Sequence, residues 1–172
     1  MRIWFDTEFI EDGKTIDLMS IGLVREDGEV YYAEPAECRL EMASPWVWKN
    51  VIPHLLGWTE DIRRTGHECL KPRAVIAKEI IEFAGEKPEF WAYYADYDWV
   101  ALCQLFGTMM DLPKGWPMYC RDLKQLCDWL GNPPLVKQTV TEHFALNDAC
   151  WTKRAWLQLV GHDPALVGSR AA

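Results

Sequence analysis

No run in this 172-residue chain approaches the roughly 20 consecutive apolar residues of a membrane span, so no membrane partner is expected. The longest suggestive stretch, residues 99–110, is broken by Gln104 and Gly107. The N-terminus reaches Asp6 before an apolar leader can form, which makes a cytoplasmic location the expectation. The six cysteines (Cys38, Cys69, Cys103, Cys120, Cys127 and Cys150) contain no C-x-x-C pair and sit mostly beside apolar neighbours. That spacing speaks against structural zinc and a disulfide frame, and for reduced, buried thiols. Positive charge is short as well: 18 Lys and Arg face 26 Asp and Glu, a net charge of −8. Tight, nonspecific holding of a polyanion on a basic surface is thereby disfavoured. Repeats and low-complexity segments are missing too.

What the chain does have is material for a core. A hydrophobic content of 49% and an aromatic content of 13% fit one globular domain over residues 1–172, with the tail after about Gly161 expected to fray. Asp12-Gly13 and Asp27-Gly28 are hairpin signals separating extended runs at residues 2–10, 15–25 and 29–34, an antiparallel meander. Ser44-Pro45 then starts a helix, the serine as cap and the proline at the first helical position. A second helix begins near Lys71-Pro72 and carries Val75, Ile76, Ile80, Ile81 and Phe83 at helical spacing. Residues 90–94 read as a fourth strand, a helix follows from about Asp98, and residues 117–121 read as a fifth strand. The expected architecture is α/β: a mixed five-stranded sheet, three antiparallel strands then parallel ones, flanked by helices. Of the ten tryptophans, Trp99, Trp129, Trp151 and Trp156 fall on helical stripes and are expected in the core.

Five polar residues stand out against this frame. Asp6 and Glu8 end the apolar strand Ile3-Trp4-Phe5 and, two apart, project from one face. Paired carboxylates repel and lose hydration on burial, and a divalent cation is the strongest remedy; the alternative is the solvent face where an edge strand runs out. Counting by three and four from Asp98 gives Ala101, Leu102, Leu105, Phe106 and Met109, which puts this acid on an inward stripe. Its alternative role is a helix cap or dipole partner, worth about 0.3–1 kcal/mol, with Asp96 as rival. His143 and Asp148 would diverge by about 140° on one continuous helix, so His143 must precede it. A start near Ala145 places Asp148, Trp151, Thr152, Ala155 and Leu159 on one stripe. A capping box at Thr139-x-x-Glu142 offers a competing start that would make His143 an ordinary helix residue. Four carboxylates and one imidazole are a sufficient set for two-metal phosphoryl chemistry.

The ordered conjunction of Asp6-x-Glu8, Tyr97-Asp98-Trp99-Val100-Ala101-Leu102 and His143-x-Ala145-x-x-Asp148 resembles the DEDDh 3′-to-5′ exonucleases, DnaQ-like enzymes with an RNase H-like fold. Residues 6–13 and 94–98 are similar to a small bacterial and phage subgroup regarded as RNase T-like exoribonucleases. The resemblance implies a metal-dependent 3′-to-5′ exoribonuclease that trims single-stranded ends to nucleoside 5′-monophosphates. It implies two Mg²⁺ or Mn²⁺ ions, one held by Asp6, Glu8 and Asp148, the other bridged by Asp6 and supported by Asp98. It gives His143 the role of taking the proton of the attacking water. Phe9 would stack the terminal base, and the backbone around Thr7 and Glu8 would meet the terminal ribose. Homodimerisation is a further implication. Two bound cations would bring the net charge to about −4 and become the local phosphate attractors, so acidity opposes a tight binder more than an enzyme that releases its polymer after each cut. A 3′-to-5′ DNA exonuclease and a noncatalytic nucleotide-binding module are the alternatives.

Overall fold

Side-chain alternation along the first strand sets the architecture, because each of its faces buries against a different helical layer. The computed structural model describes residues 1–58 and 63–162. From β1 (Arg2–Glu11), Ile3 and Phe5 enter a core with residues of the later helices over 73–84 and 96–104. Trp4 enters a separate core on the other face, with Leu123, Cys127, Ala155, Trp156 and Leu159. The meander continues through β2 (Ile16–Arg25) and β3 (Val30–Pro35), each antiparallel to the strand before it. α1 (Pro45–Asn50) starts as expected, with the Ser44 hydroxyl accepting the Val47 N–H at 3.3 Å. Beyond it come β4 (Leu70–Lys71), α2 (Arg73–Ala84), β5 (Glu89–Ala92), α3 (Asp96–Gln104), β6 (Arg121–Asp122), α4 (Leu123–Trp129) and α5 (Ala145–His162). The sheet order is β4-β3-β2-β1-β5-β6, with β5 parallel to β1 and β6 parallel to β5. α2 and α3 cover one face, α4 and α5 the other.

The α/β expectation holds, with six strands in place of five. β4 was not foreseen because two residues carry no alternation; Lys71 pairs there with Pro35, so the second helix starts at Arg73. The fifth expected strand shrinks to Arg121 and Asp122, whose Asp122 carboxylate caps α4 by accepting the Lys124 N–H at 2.6 Å. α3 begins at Asp96 and ends at Gln104, which leaves Met109 in a short 3-10 turn at 44% exposure instead of on the buried stripe. Trp129 is not core: α4 buries Leu123 and Cys127, one turn apart, and Trp129 leaves that stripe at 89% exposure. Trp99 and Trp156 are buried and Trp151 is half-buried. All six cysteines are free thiols, four buried and Cys120 and Cys150 partly so. No helix among the described residues is long and apolar enough to cross a membrane. The expectation for the tail falls, from residue 163 on, outside the described residues.

Candidate active site

Asp6 and Glu8 follow Trp4 onto the α5 face of the sheet, and a register break between Glu8 and Phe9 interrupts β1 just past them. α5 opens with the Phe144 carbonyl accepting the N–H groups of Asn147 (2.8 Å) and Asp148 (3.2 Å), which places Asp148 in its first turn. One carboxylate oxygen from each of Asp6, Glu8 and Asp148 lies within 4.8 Å of the other two. What permits this approach is Gly22, the β2 residue directly opposite Asp6. A Cβ at Gly22 would stand 2.3 Å from the Leu146 nitrogen and 2.4 Å from the Ala145 carbonyl carbon, both backbone atoms that cannot swing aside. Gly22→Ala is therefore expected to lift the α5 start off the sheet and cost about 1–3 kcal/mol in chemical denaturation, the scale of overpacking. Unchanged stability with unchanged positions of Ala145 and Leu146 would contradict this.

Asp98 arrives from the opposite layer. Its Oδ1 accepts both the Thr7 N–H (2.9 Å) and the Thr7 hydroxyl (2.6 Å), pinning α3 to the buried odd-numbered face of β1. It stays outside the compact trio, yet its charge reaches Asp6 and Glu8. Burial first, then Asp98, Glu8 and Asp148, hold the Asp6 carboxyl well above the usual carboxylate range. Burial followed by Asp148 and Asp98 pushes Glu8 up to about 8. Burial raises Asp98 to about 7 against the opposing pull of Thr7, and raises Asp148 against a hydrogen bond donated by Gln138 Nε2. Among the described residues, the one ion-pair partner meeting any of these four acids is His143, its Nδ1 3.9 Å from Glu8 Oε1. Four crowded acids thus lack matching cationic side chains, and their hard oxygens suit Mg²⁺ or Mn²⁺.

His143 lies outside the helix, on the incoming loop, as its spacing from Asp148 requires; the capping box at Thr139 is not used. Its backbone is left-handed (φ 61°), and its ring meets the Trp46 ring edge-on, centroids 5.1 Å apart. These groups line a cleft of about 1020 Å³. Phe9, packed edge-on against Tyr97 at 5.7 Å, is half-buried in the cleft wall. Thr7 lines the cleft at 5% exposure, with both its N–H and its hydroxyl committed to Asp98, so it braces the site. Gln138, Trp46 and Gly22 were not foreseen. Gly22 alone had a signal, a glycine inside an apolar strand, which marks close backbone approach.

The fold is that of the DnaQ-like 3′-5′ exonucleases, whose RNase H-like architecture is shared with exonuclease I: TM-score 0.64 at 15% identity, over 96% of this chain and 42% of that one. A zinc-bound complex of E. coli exonuclease I with single-stranded DNA matches at TM-score 0.60 and 15% identity, over 96% and 41% of the respective chains. Residues 1–160 match the family described as the 3′-5′ exoribonuclease Rv2179c-like domain, and the chain belongs to that family. The 3′-5′ exoribonuclease Rv2179c of Mycobacterium tuberculosis strain H37Rv is 41% identical over 170 residues, 98% of this chain and 99% of the relative. A counterpart in strain CDC 1551, the 3′-5′ exoribonuclease MT2234.1, shows the same identity and coverage.

Proposed function

We propose that this protein removes nucleoside 5′-monophosphates one at a time from the 3′ ends of single-stranded RNA, with two Mg²⁺ or Mn²⁺ ions. The observation that carries this is the meeting of Asp6, Glu8 and Asp148 within 4.8 Å in an open cleft, none of them ion-paired to a Lys or Arg among the described residues. Asp6, Glu8 and Asp148 would hold one ion; Asp6 would share the second, supported by Asp98. When bound, such a pair stabilises the attacking and leaving oxygens of an in-line displacement at phosphorus.

The chain's own groups do the rest. His143, whose Nδ1 stands 3.9 Å from Glu8 Oε1, accepts the proton of the attacking water. Trp46 limits the swing of the imidazole. Phe9 stacks the terminal base, an interaction indifferent to sequence, and Glu8 lies where the terminal ribose would sit. The choice of RNA is supported by the relatives' names and by 41% identity along nearly the whole chain. Six free thiols fit a reducing, cytoplasmic setting.

The test is degradation of 5′-end-labelled single-stranded RNA and DNA in Mg²⁺, Mn²⁺ or chelator. A ladder shortening from the 3′ end only with metal, faster on RNA, is expected. A ladder in chelator would remove the metal from the mechanism, and faster loss of DNA would reassign the substrate.

A further inference from the structure

The cleft has two unlike walls. Phe9 packs on Tyr97 and Trp46 on His143, and Glu11 lines the cleft with them. Tyr93, Tyr94, Lys124 and Lys137 line a second wall, and among the described residues these two lysines are the Lys and Arg side chains that line the cleft. A 3′-terminal nucleotide has no phosphate beyond its own, whereas each nucleotide on the 5′ side brings another. The polymer's charge therefore fits the wall that carries the lysines. At about 1020 Å³ the cleft also exceeds the ~300 Å³ that suffices for one small ligand.

The wall that carries the lysines is built as one piece. Tyr94 is 62% exposed on a left-handed backbone (φ 58°), a conformation unfavourable for a bulky residue and one that burial of the ring does not offset. Its ring meets Tyr93 edge-on at 4.5 Å, and Tyr93 meets Trp151 edge-on at 5.0 Å. The Trp151 indole N–H donates to the Val136 carbonyl at 2.7 Å, tying the segment that carries Lys137 to the aromatic stack. Asp122 fixes the other lysine: its Oδ2 accepts the Ala95 N–H at 3.3 Å, next to Tyr94, while its Oδ1 accepts the Lys124 N–H at 2.6 Å. Lys124 itself is paired with Asp128 and Asn132 on the surface, partners a phosphate can displace.

We infer that Tyr94 is the stacking platform for the penultimate base of a bound single strand and that Lys137, with Lys124, receives the phosphate on its 5′ side, so that the polymer leaves the cleft over this wall. The assignment rests on the exonuclease reading above and adds the direction of the strand. It is tested by measuring kcat/KM with Mn²⁺ on an RNA decamer and on the same decamer with an abasic penultimate nucleotide. Tyr94→Ala is expected to lower the value on the intact decamer by about 5- to 150-fold, the loss of one stacked base. Its penalty shrinks at least about fivefold on the abasic RNA, and Tyr94→Phe restores the rate. Lys137→Ala makes the fall of log kcat/KM with log salt shallower by about 0.7, as for one lost phosphate contact on a single strand. Equal penalties for Tyr94→Ala on both RNAs, or none on either, would overturn the platform; an unchanged salt slope would overturn the role of Lys137. Inactivity of the unaltered chain on both RNAs would overturn the exonuclease reading itself, and this assignment with it.

Discussion

Asp6→Asn and Asp148→Asn are expected to abolish metal-dependent trimming, by about 10³-fold or more, while raising the melting temperature of the metal-free protein at pH 8. The first effect follows from removing a ligand charge that must be preorganised where charge develops. The second follows from crowding. Glu8 and Asp98 titrate near 8 and 7 in the folded chain, against ordinary values of 4.5 and 3.8, and Asp6 is raised as well. A carboxyl whose folded pKa is raised stabilises the fold below its unfolded pKa, and that contribution disappears as pH rises through the folded value. The metal-free protein thus weakens between pH ~4 and ~8, and an amide at position 6 or 148 removes one of the repelling charges. In a domain of this size each kcal/mol recovered moves the midpoint by about 2–4 °C. Saturating Mn²⁺ reverses the ranking: at 100 times Kd the unaltered protein gains about 2.7 kcal/mol, and the asparagine variants gain less. Scanning calorimetry with and without Mn²⁺ measures the two stability changes, and the end-labelled RNA assay measures the loss of trimming. Substantial trimming by both variants would sink the site.

His143→Ala is expected to lower kcat by about 10² to 10⁴ while Mn²⁺ binding, followed by calorimetry, persists, because the imidazole handles a proton and not the ion. Position 143 has its own control. Its left-handed backbone suits glycine, so His143→Gly should fold at least as stably as His143→Ala and lose just as much activity. Recovery of activity in the glycine variant alone would mean that backbone geometry, and not the imidazole, sets the rate. Full activity in both would remove His143 from the chemistry.

How far the sequence could be read depended on whether a feature repeated with a period. The opposed destinations of Ile3 and Phe5 against Trp4, Asp6 and Glu8 follow from alternation alone, and the α5 start at Ala145 follows from forcing His143 and Asp148 to converge. β4 escaped because two paired residues have no period, and the same shortness put the expected bounds of β6 too early, at residues 117–121 instead of Arg121–Asp122. Gln138 escaped for a different reason. Its segment lacks regular structure and is routed by distant partners: the Val136 N–H donates to Gln158 Oε1 at 2.7 Å, and Gln158 Nε2 donates to the Pro134 carbonyl at 2.8 Å. Trp129 was misplaced because a seven-residue helix has too few turns to impose its stripe on its last residue.

Thr7 and Asp6 are neighbours on one strand, yet the first is gripped from the α3 layer and the second faces the α5 layer. An ion seated on Asp6, Glu8 and Asp148 would therefore act as a rivet through both leaves of the molecule, since the strand it tightens is the one element both leaves share. Occupancy should then be felt well away from the cleft: amide hydrogens of Leu102 and Leu159, on opposite leaves, would exchange more slowly together once Mn²⁺ is added.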